Sequence, residues 1–158
     1  NSALAQNLPS YLPSNGLVGW WPFNGNANDE SGNGNHGTVN GATMTTDRFG
    51  NSGSAYDFDG IQDNISGISD QFPESQRTIS FWYKSELPVA HSWFLGYGGD
   101  ICGSGCVIYA NSDNCSDIQQ SRYIFSAHCC QGSFYVPMNS SSISWHQIVL
   151  TSESISKY

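Results

Sequence analysis

The 158-residue chain carries 13 Asp and Glu residues against five Lys and Arg, which gives a formal net charge of −8. So few cations leave no basic stripe to neutralise phosphates, which excludes a typical nucleic-acid-binding protein. Because charged residues make up only 11% of the chain and no window has the apolar stripe of an amphipathic helix, we expect one all-β domain of ordinary size.

The first residues are typical of an exported protein. Ala3, Leu4 and Ala5 fit the small-x-small pattern before a signal-peptide cleavage point, so residues 1–5 are predicted to be a signal remnant. Residues 6–16 contain two prolines and predict an extended lead-in, and no apolar run reaches the length of a membrane span. We therefore expect a secreted or cell-surface protein.

Residues 17–23, LVGWWPF, predict a strand that is apolar on both faces, as in the inner strand of a two-sheet sandwich. A loop rich in Gly, Asn and Asp follows at 24–37, and it has two interpretations. Its polar side chains close turns within the loop, or their oxygens converge on a structural calcium ion. In the calcium interpretation, the ligands are Asp29, Asn33 and Asn35, with Asp59 from a second oxygen-rich corner.

Further along the chain, alternating apolar residues predict a series of strands. The clearest is 76–84, where Ile79, Phe81 and Tyr83 share one face, and we expect 92–99 to be its partner. The other predicted strands are 54–58, 105–110, 121–127, 133–136 and 144–151.

Two segments of the chain, WPFNGNANDESGNGNHGTVNGA and DRFGNSGSAYDFDG, resemble the N-terminal part of laminin-G-like, concanavalin A-like jelly-roll domains of secreted bacterial proteins. The resemblance implies a two-sheet antiparallel jelly-roll sandwich over residues 17–158. The segment SWHQIVLTSE resembles a later strand of that family, after which further strands would follow. The resemblance therefore implies a C-terminally incomplete domain, which predicts a fragment, a partial gene product or a strand-swapped oligomer.

All five cysteines lie between residues 102 and 130: Cys102, Cys106, Cys115, Cys129 and Cys130. In an exported protein this clustering predicts local disulfides, with the pairing open and one thiol left over. The spacing does not match a zinc site, because it contains no Cys-x-x-Cys pair.

Catalytic patterns are absent from the sequence. Jelly-roll glucanases place their paired acids at alternating positions of one strand, whereas each glutamate here is isolated. The histidines have no Gly-x-Ser-x-Gly motif beside them. We therefore expect a protein that is not an enzyme.

Sugars present apolar faces to aromatic rings and hydroxyls to amides and carboxylates, and such residues are frequent in this sequence. The candidate ligand-binding residues are Trp93, Tyr97, Asp100, Asn111 and Asn114, with Trp20, Trp82 and Tyr135 as further exposed-ring candidates. Asp100 is included because its loop, GYGGDICGSGC, is similar to a calcium-holding loop of pentraxins.

These residues predict a noncatalytic module that binds a glycan or surface polysaccharide, and in the calcium interpretation of the loop at 24–37 a structural calcium ion assists the binding. The alternatives are a protein–protein adhesion module of a bacterial surface protein and, third, a relative of a glycoside hydrolase.

Overall fold

A computed structural model describes residues 8–67, 76–84, 92–97, 106–111, 122–126, 133–137 and 144–152. These residues form ten strands in antiparallel pairs and contain no helix, which confirms the all-β prediction. The chain divides into two compact units, Asn1–Phe72 and Pro73–Tyr158. The boundary lies inside the predicted domain 17–158.

The first unit contains four short strands: β1 (Thr38–Asn40), β2 (Thr43–Thr45), β3 (Ala55–Asp57) and β4 (Asn64–Ser66). β1 pairs with β4 and β2 pairs with β3, both antiparallel. Strand β3 confirms the strand predicted at 54–58. Strands β1 and β2 lie outside the strands predicted from the sequence pattern.

The core of the first unit is built from small side chains. Ala27, Ala42 and Ala55 are its buried apolar residues among those described. Phe23 and Tyr56 meet edge to face with ring centroids 5.3 Å apart. Phe23 has a φ of 58°, a conformation that costs a non-glycine residue about 1–3 kcal/mol, and the contact with Tyr56 helps to offset that cost.

Residues 17–23 form no strand, contrary to the prediction from their apolar pattern. Their backbone groups bond instead to the loop at 24–37. The Trp20 N–H donates to Asp29, the Leu17 and Val18 carbonyls accept from side-chain amides, and the Trp20 carbonyl accepts the Glu30 N–H. The segment is therefore held by polar loop groups, mostly side chains, rather than by a neighbouring strand.

The second unit contains six described strands: β5 (Arg77–Tyr83), β6 (Ser92–Tyr97), β7 (Cys106–Asn111), β8 (Arg122–Ser126), β9 (Ser133–Pro137) and β10 (His146–Ser152). These strands confirm the strand positions predicted from the sequence. Strands β6 to β9 form one antiparallel meander, whereas β5 pairs with β10.

The predicted pairing of β5 with β6 is wrong. Strand β5 pairs with β10 in a register that places Phe81 opposite Ile148 and Ile79 opposite Leu150. Apolar residues therefore meet on one face of this pair, where Tyr83 and Ile148 are buried. Strand β6 forms a hairpin with β7 instead.

Candidate functional site

The exposed face of the β5–β10 pair is mainly polar and carries one large aromatic ring. We call it the Trp82 face, and its exposed residues are Thr78, Ser80, Trp82, Gln147, Val149 and Thr151. Strict alternation creates it, because the residues between them turn to the buried side. Trp82 is 41% exposed and lies directly opposite Gln147 in the pairing register.

Hydrogen bonds between the strands order the polar groups around Trp82. Gln147 Nε2 donates to Ser80 Oγ at 3.1 Å, and the hydroxyls of Thr78 and Thr151 are 3.4 Å apart. No hydrogen bond from the described residues reaches Oε1 of Gln147. An aromatic ring, an amide oxygen and three hydroxyls thus share one face, and an exposed apolar side chain, Val149, continues it.

The loop at 24–37, which the sequence marked as a candidate metal site, is organised by the carboxylate of Asp29. Oδ1 accepts the N–H groups of Trp20 and Ser31, both at 2.9 Å. Oδ2 accepts the Ser31 hydroxyl at 2.9 Å and the Asn35 N–H at 3.0 Å. Asp29 is only 4% exposed, so it is a buried hydrogen-bond acceptor that closes the loop.

The two predicted asparagine ligands of this loop also bond to the backbone. Asn33 Nδ2 donates to the carbonyls of Leu17 and Val18 at 2.8 and 3.1 Å. Asn35 Nδ2 donates to the Val18 carbonyl at 2.8 Å, and the Asn35 carbonyl accepts Nε1–H of Trp21 at 2.8 Å. Asp29, Asn33 and Asn35 therefore lie in one network, which fastens residues 17–21 to the loop.

The hydrogen bonds of Asp29 stabilise its charged form. Burial raises the pKa of Asp29, but the bonds from Trp20, Ser31 and Asn35 together outweigh burial, and its pKa lies below the ordinary 3.8. The negative charge is therefore kept at neutral pH.

This donor set does not fit a calcium ion in the conformation described. An ionised carboxylate offers about four lone-pair sites, and Asp29 already accepts four hydrogen bonds. The described ranges also contain no cluster of three or more His, Cys, Asp or Glu residues suited to a metal. Calcium binding by this chain stays a prediction.

Asp59 belongs to a separate turn. Its Oδ1 accepts the N–H groups of Ile61 and Gln62 at 2.8 and 3.3 Å, and its own N–H donates to Asp63 at 3.0 Å. The hydrogen bond from the Ile61 amide lowers the pKa of Asp59. Asp47 closes a similar turn between β2 and β3 by accepting the N–H groups of Phe49 and Asn51 at 2.8 Å.

For most of the predicted ligand-binding residues, the structure describes only their position on a strand. Trp93 and Tyr97 lie on β6, with a shift in pairing register between Trp93 and Leu95, and Asn111 ends β7 opposite Arg122. Asp100 and Asn114 lie outside the described residues, as do four of the five cysteines; Cys106 begins β7. Gln147, by contrast, had no signal in the sequence, because only the pairing of β5 with β10 places it beside Trp82.

Comparisons with protein-family models, with curated proteins and with solved structures found no match. None of the described segments is a helix long and apolar enough to cross a membrane.

Proposed function

We propose that this chain is a secreted, noncatalytic recognition module of the concanavalin A-like jelly-roll type that binds glycans on the Trp82 face. The observation that carries the proposal is the half-exposed Trp82 ring beside Gln147, on a face that also exposes Thr78, Ser80 and Thr151. A sugar ring has an apolar face that covers an indole and hydroxyls that bond to amide and hydroxyl groups.

Three of the described carboxylates support a noncatalytic role. A glycosidase needs a carboxylic acid with a raised pKa to protonate the leaving group. The pKa values of Asp29, Asp47 and Asp59 are instead lowered, and each of these side chains accepts backbone N–H groups of its own turn.

The exposed area of Trp82 sets the expected size of its contribution. With 41% of its surface exposed, Trp82 offers about 100 Å² out of about 250 Å². If one sugar ring covers about half of this area, at about 25 cal/mol per Å² it contributes about 1.3 kcal/mol, or roughly a tenfold change in Kd.

The experiment is binding of the full chain to a panel of polysaccharides and glycans, once with calcium and once with a chelator. Trp82→Ala should weaken binding roughly tenfold. Tyr11→Ala is the matched control, because Tyr11 is another exposed aromatic residue, 81% accessible, that lies outside the Trp82 face. Equal losses in both variants, or no glycan bound in either condition, would contradict the proposal.

A protein–protein adhesion module is the second candidate, and two turns of the first unit favour it. Phe49 is 72% exposed and carries the Arg48 guanidinium 4.1 Å above its ring, and Ile61 is 80% exposed. Asp47 and Asp59 hold these two turns in shape, so the apolar side chains are presented in a fixed geometry. Loss of partner binding in Phe49→Ala, with glycan panels silent, would favour this function.

A further inference from the structure

A second polar surface lies in the first unit, where β1 pairs with β4. Thr38 lies opposite Ser66 in this pair, and a pocket of about 380 Å³ opens beside them. Among the described residues, those that line this β1–β4 pocket are Gly34, His36, Thr38, Asn40, Ser66 and Gly67. Its volume falls near the lower end of the range of about 300–1,000 Å³ that is usual for small-molecule sites.

The side chain of Asn40 supplies an acceptor to the pocket. Its Nδ2 donates to Asn64 Oδ1 at 3.0 Å and is 3.4 Å from Ser66 Oγ. Because these contacts use the amide nitrogen, they fix the side chain with the opposite atom outward. Oδ1 of Asn40 accepts no hydrogen bond from any described residue, so it is available to a ligand hydroxyl.

His36 supplies a donor to the same pocket. Its Nδ1 accepts the N–H of Asp29 at 3.1 Å, so the hydrogen of the neutral ring is on Nε2. The loop thus sets both the tautomer and the orientation of the ring. The same bond disfavours a metal ion here, because Nδ1 is occupied and Nε2 carries its hydrogen.

None of the lining residues that the structure describes is Lys, Arg, Asp or Glu, so these residues carry no formal charge when His36 is neutral. A charged ligand would therefore find no counter-charge among them. A chain with a net charge of −8 also disfavours anions. A fixed donor, a fixed acceptor and two hydroxyls match a neutral ligand whose adjacent hydroxyls donate and accept in turn.

We propose that the β1–β4 pocket binds a small neutral polyol through Nε2–H of His36, Oδ1 of Asn40 and the hydroxyls of Thr38 and Ser66. This site lies outside the Trp82 face and does not rest on the glycan function proposed for that face.

The test is an NMR titration of the isotopically labelled full chain in two arms. One arm uses the methyl glycosides of glucose, galactose and mannose, and the other uses glycerol and myo-inositol. The backbone amides of Gly34, Thr38 and Gly67 should shift saturably, with a Kd on the order of 1–10 mM for ligands of this size. If the glycosides alone give saturable shifts, the ligand of the pocket is the terminal sugar of a glycan. If ligands of both arms do so, the pocket binds polyols in general.

Thr38→Val removes one pocket hydroxyl at constant shape and should weaken binding about threefold to tenfold. Its matched control is Val39→Thr, which makes the reverse exchange at the next position of β1 and should leave binding unchanged. Gly67→Ala is a second variant that the fold accommodates, because its Cβ would meet only carbonyl oxygens of His36 and Asn35 at 3.7 and 3.9 Å. It adds a methyl group to the lining and should weaken binding as well.

Two results would overturn the proposal: no saturable shift at the three amides in either arm, or unchanged affinity in both Thr38→Val and Gly67→Ala. The Trp82→Ala variant separates this site from the proposed glycan face. This variant should bind the pocket ligands with the same Kd as the unmodified chain. The pocket proposal and the glycan-face proposal can therefore fail independently.

Discussion

Replacing Asp29 by alanine should release residues 17–21 from the loop that holds them. The substitution removes the acceptor of three backbone N–H groups, those of Trp20, Ser31 and Asn35. At about 1 kcal/mol for each lost hydrogen bond, the local opening free energy should fall by about 3 kcal/mol. That change corresponds to a roughly 100-fold increase in the population of the open state.

Native-state hydrogen exchange measured by NMR is the suitable assay, because it reports on single amides while a global unfolding curve would mix two units. The Trp20 and Asn35 amides should exchange roughly 100-fold faster in Asp29→Ala than in the unmodified chain. Glu30→Ala is the matched control. It removes a neighbouring carboxylate that accepts no hydrogen bond from the described residues, and it leaves the bond between the Glu30 N–H and the Trp20 carbonyl.

The reasoning fails if the two variants exchange these amides at the same rate. That result would mean that packing of Trp20 and Trp21, rather than the Asp29 carboxylate, holds the segment to the loop.

Lowering the pH and adding one methyl group at Gly37 are two further tests of the first unit. The folded pKa of Asp29 lies below its ordinary 3.8, so its contribution to stability is complete above pH 3.8 and is lost as the pH falls through the lower folded value. NMR titration of the Asp29 carboxyl carbon should therefore give a midpoint below 3.8, and a midpoint above 3.8 would contradict this. Gly37→Ala should destabilise the unit by about 1–3 kcal/mol, because the new Cβ would lie 2.7 Å from Ile65 Cγ2 and 3.0 Å from the Ala27 carbonyl. Native-state hydrogen exchange of the first-unit amides, compared with Gly67→Ala, measures the cost, and equal exchange rates in the two variants would exclude overpacking.

The sequence pattern predicts the strands of the second unit well because their side chains alternate. Strand β5 is the clearest example, since Phe81 and Tyr83 point to the buried side and Trp82 to the exposed one. Its partner was mispredicted because β6 and β10 are both apolar strands, and nothing local distinguishes them. The partner is determined by the long-range pairing with β10, which also places Gln147 opposite Trp82.

The loop at 24–37 shows a different limit of sequence reasoning. Its Gly, Asn and Asp pattern predicted Asp29, Asn33 and Asn35 as calcium ligands together with Asp59, whereas the structure places the first three in one hydrogen-bond network and Asp59 in another turn. The pattern could not tell whether their polar atoms meet a cation or a backbone. In the structure their side chains form hydrogen bonds with the backbone of residues 17–21, whose apolar sequence predicts a strand. The same local sequence can form a strand or an extended segment that is bonded to side chains. Only the tertiary contacts decide which of the two forms.

The span of these contacts along the chain has a consequence for how the protein folds. The hydrogen bonds between residues 17–21 and the loop link residues 9 to 17 positions apart, whereas those across the Trp82 face link residues 67 and 73 positions apart. Short loops close quickly and at low entropic cost, and distant pairings form late. During synthesis from the N-terminus, the loop around Asp29 can form while most of the chain is still being made. The Trp82 face cannot exist until β10 has been synthesised, so the proposed glycan-binding surface forms later than the loop around Asp29.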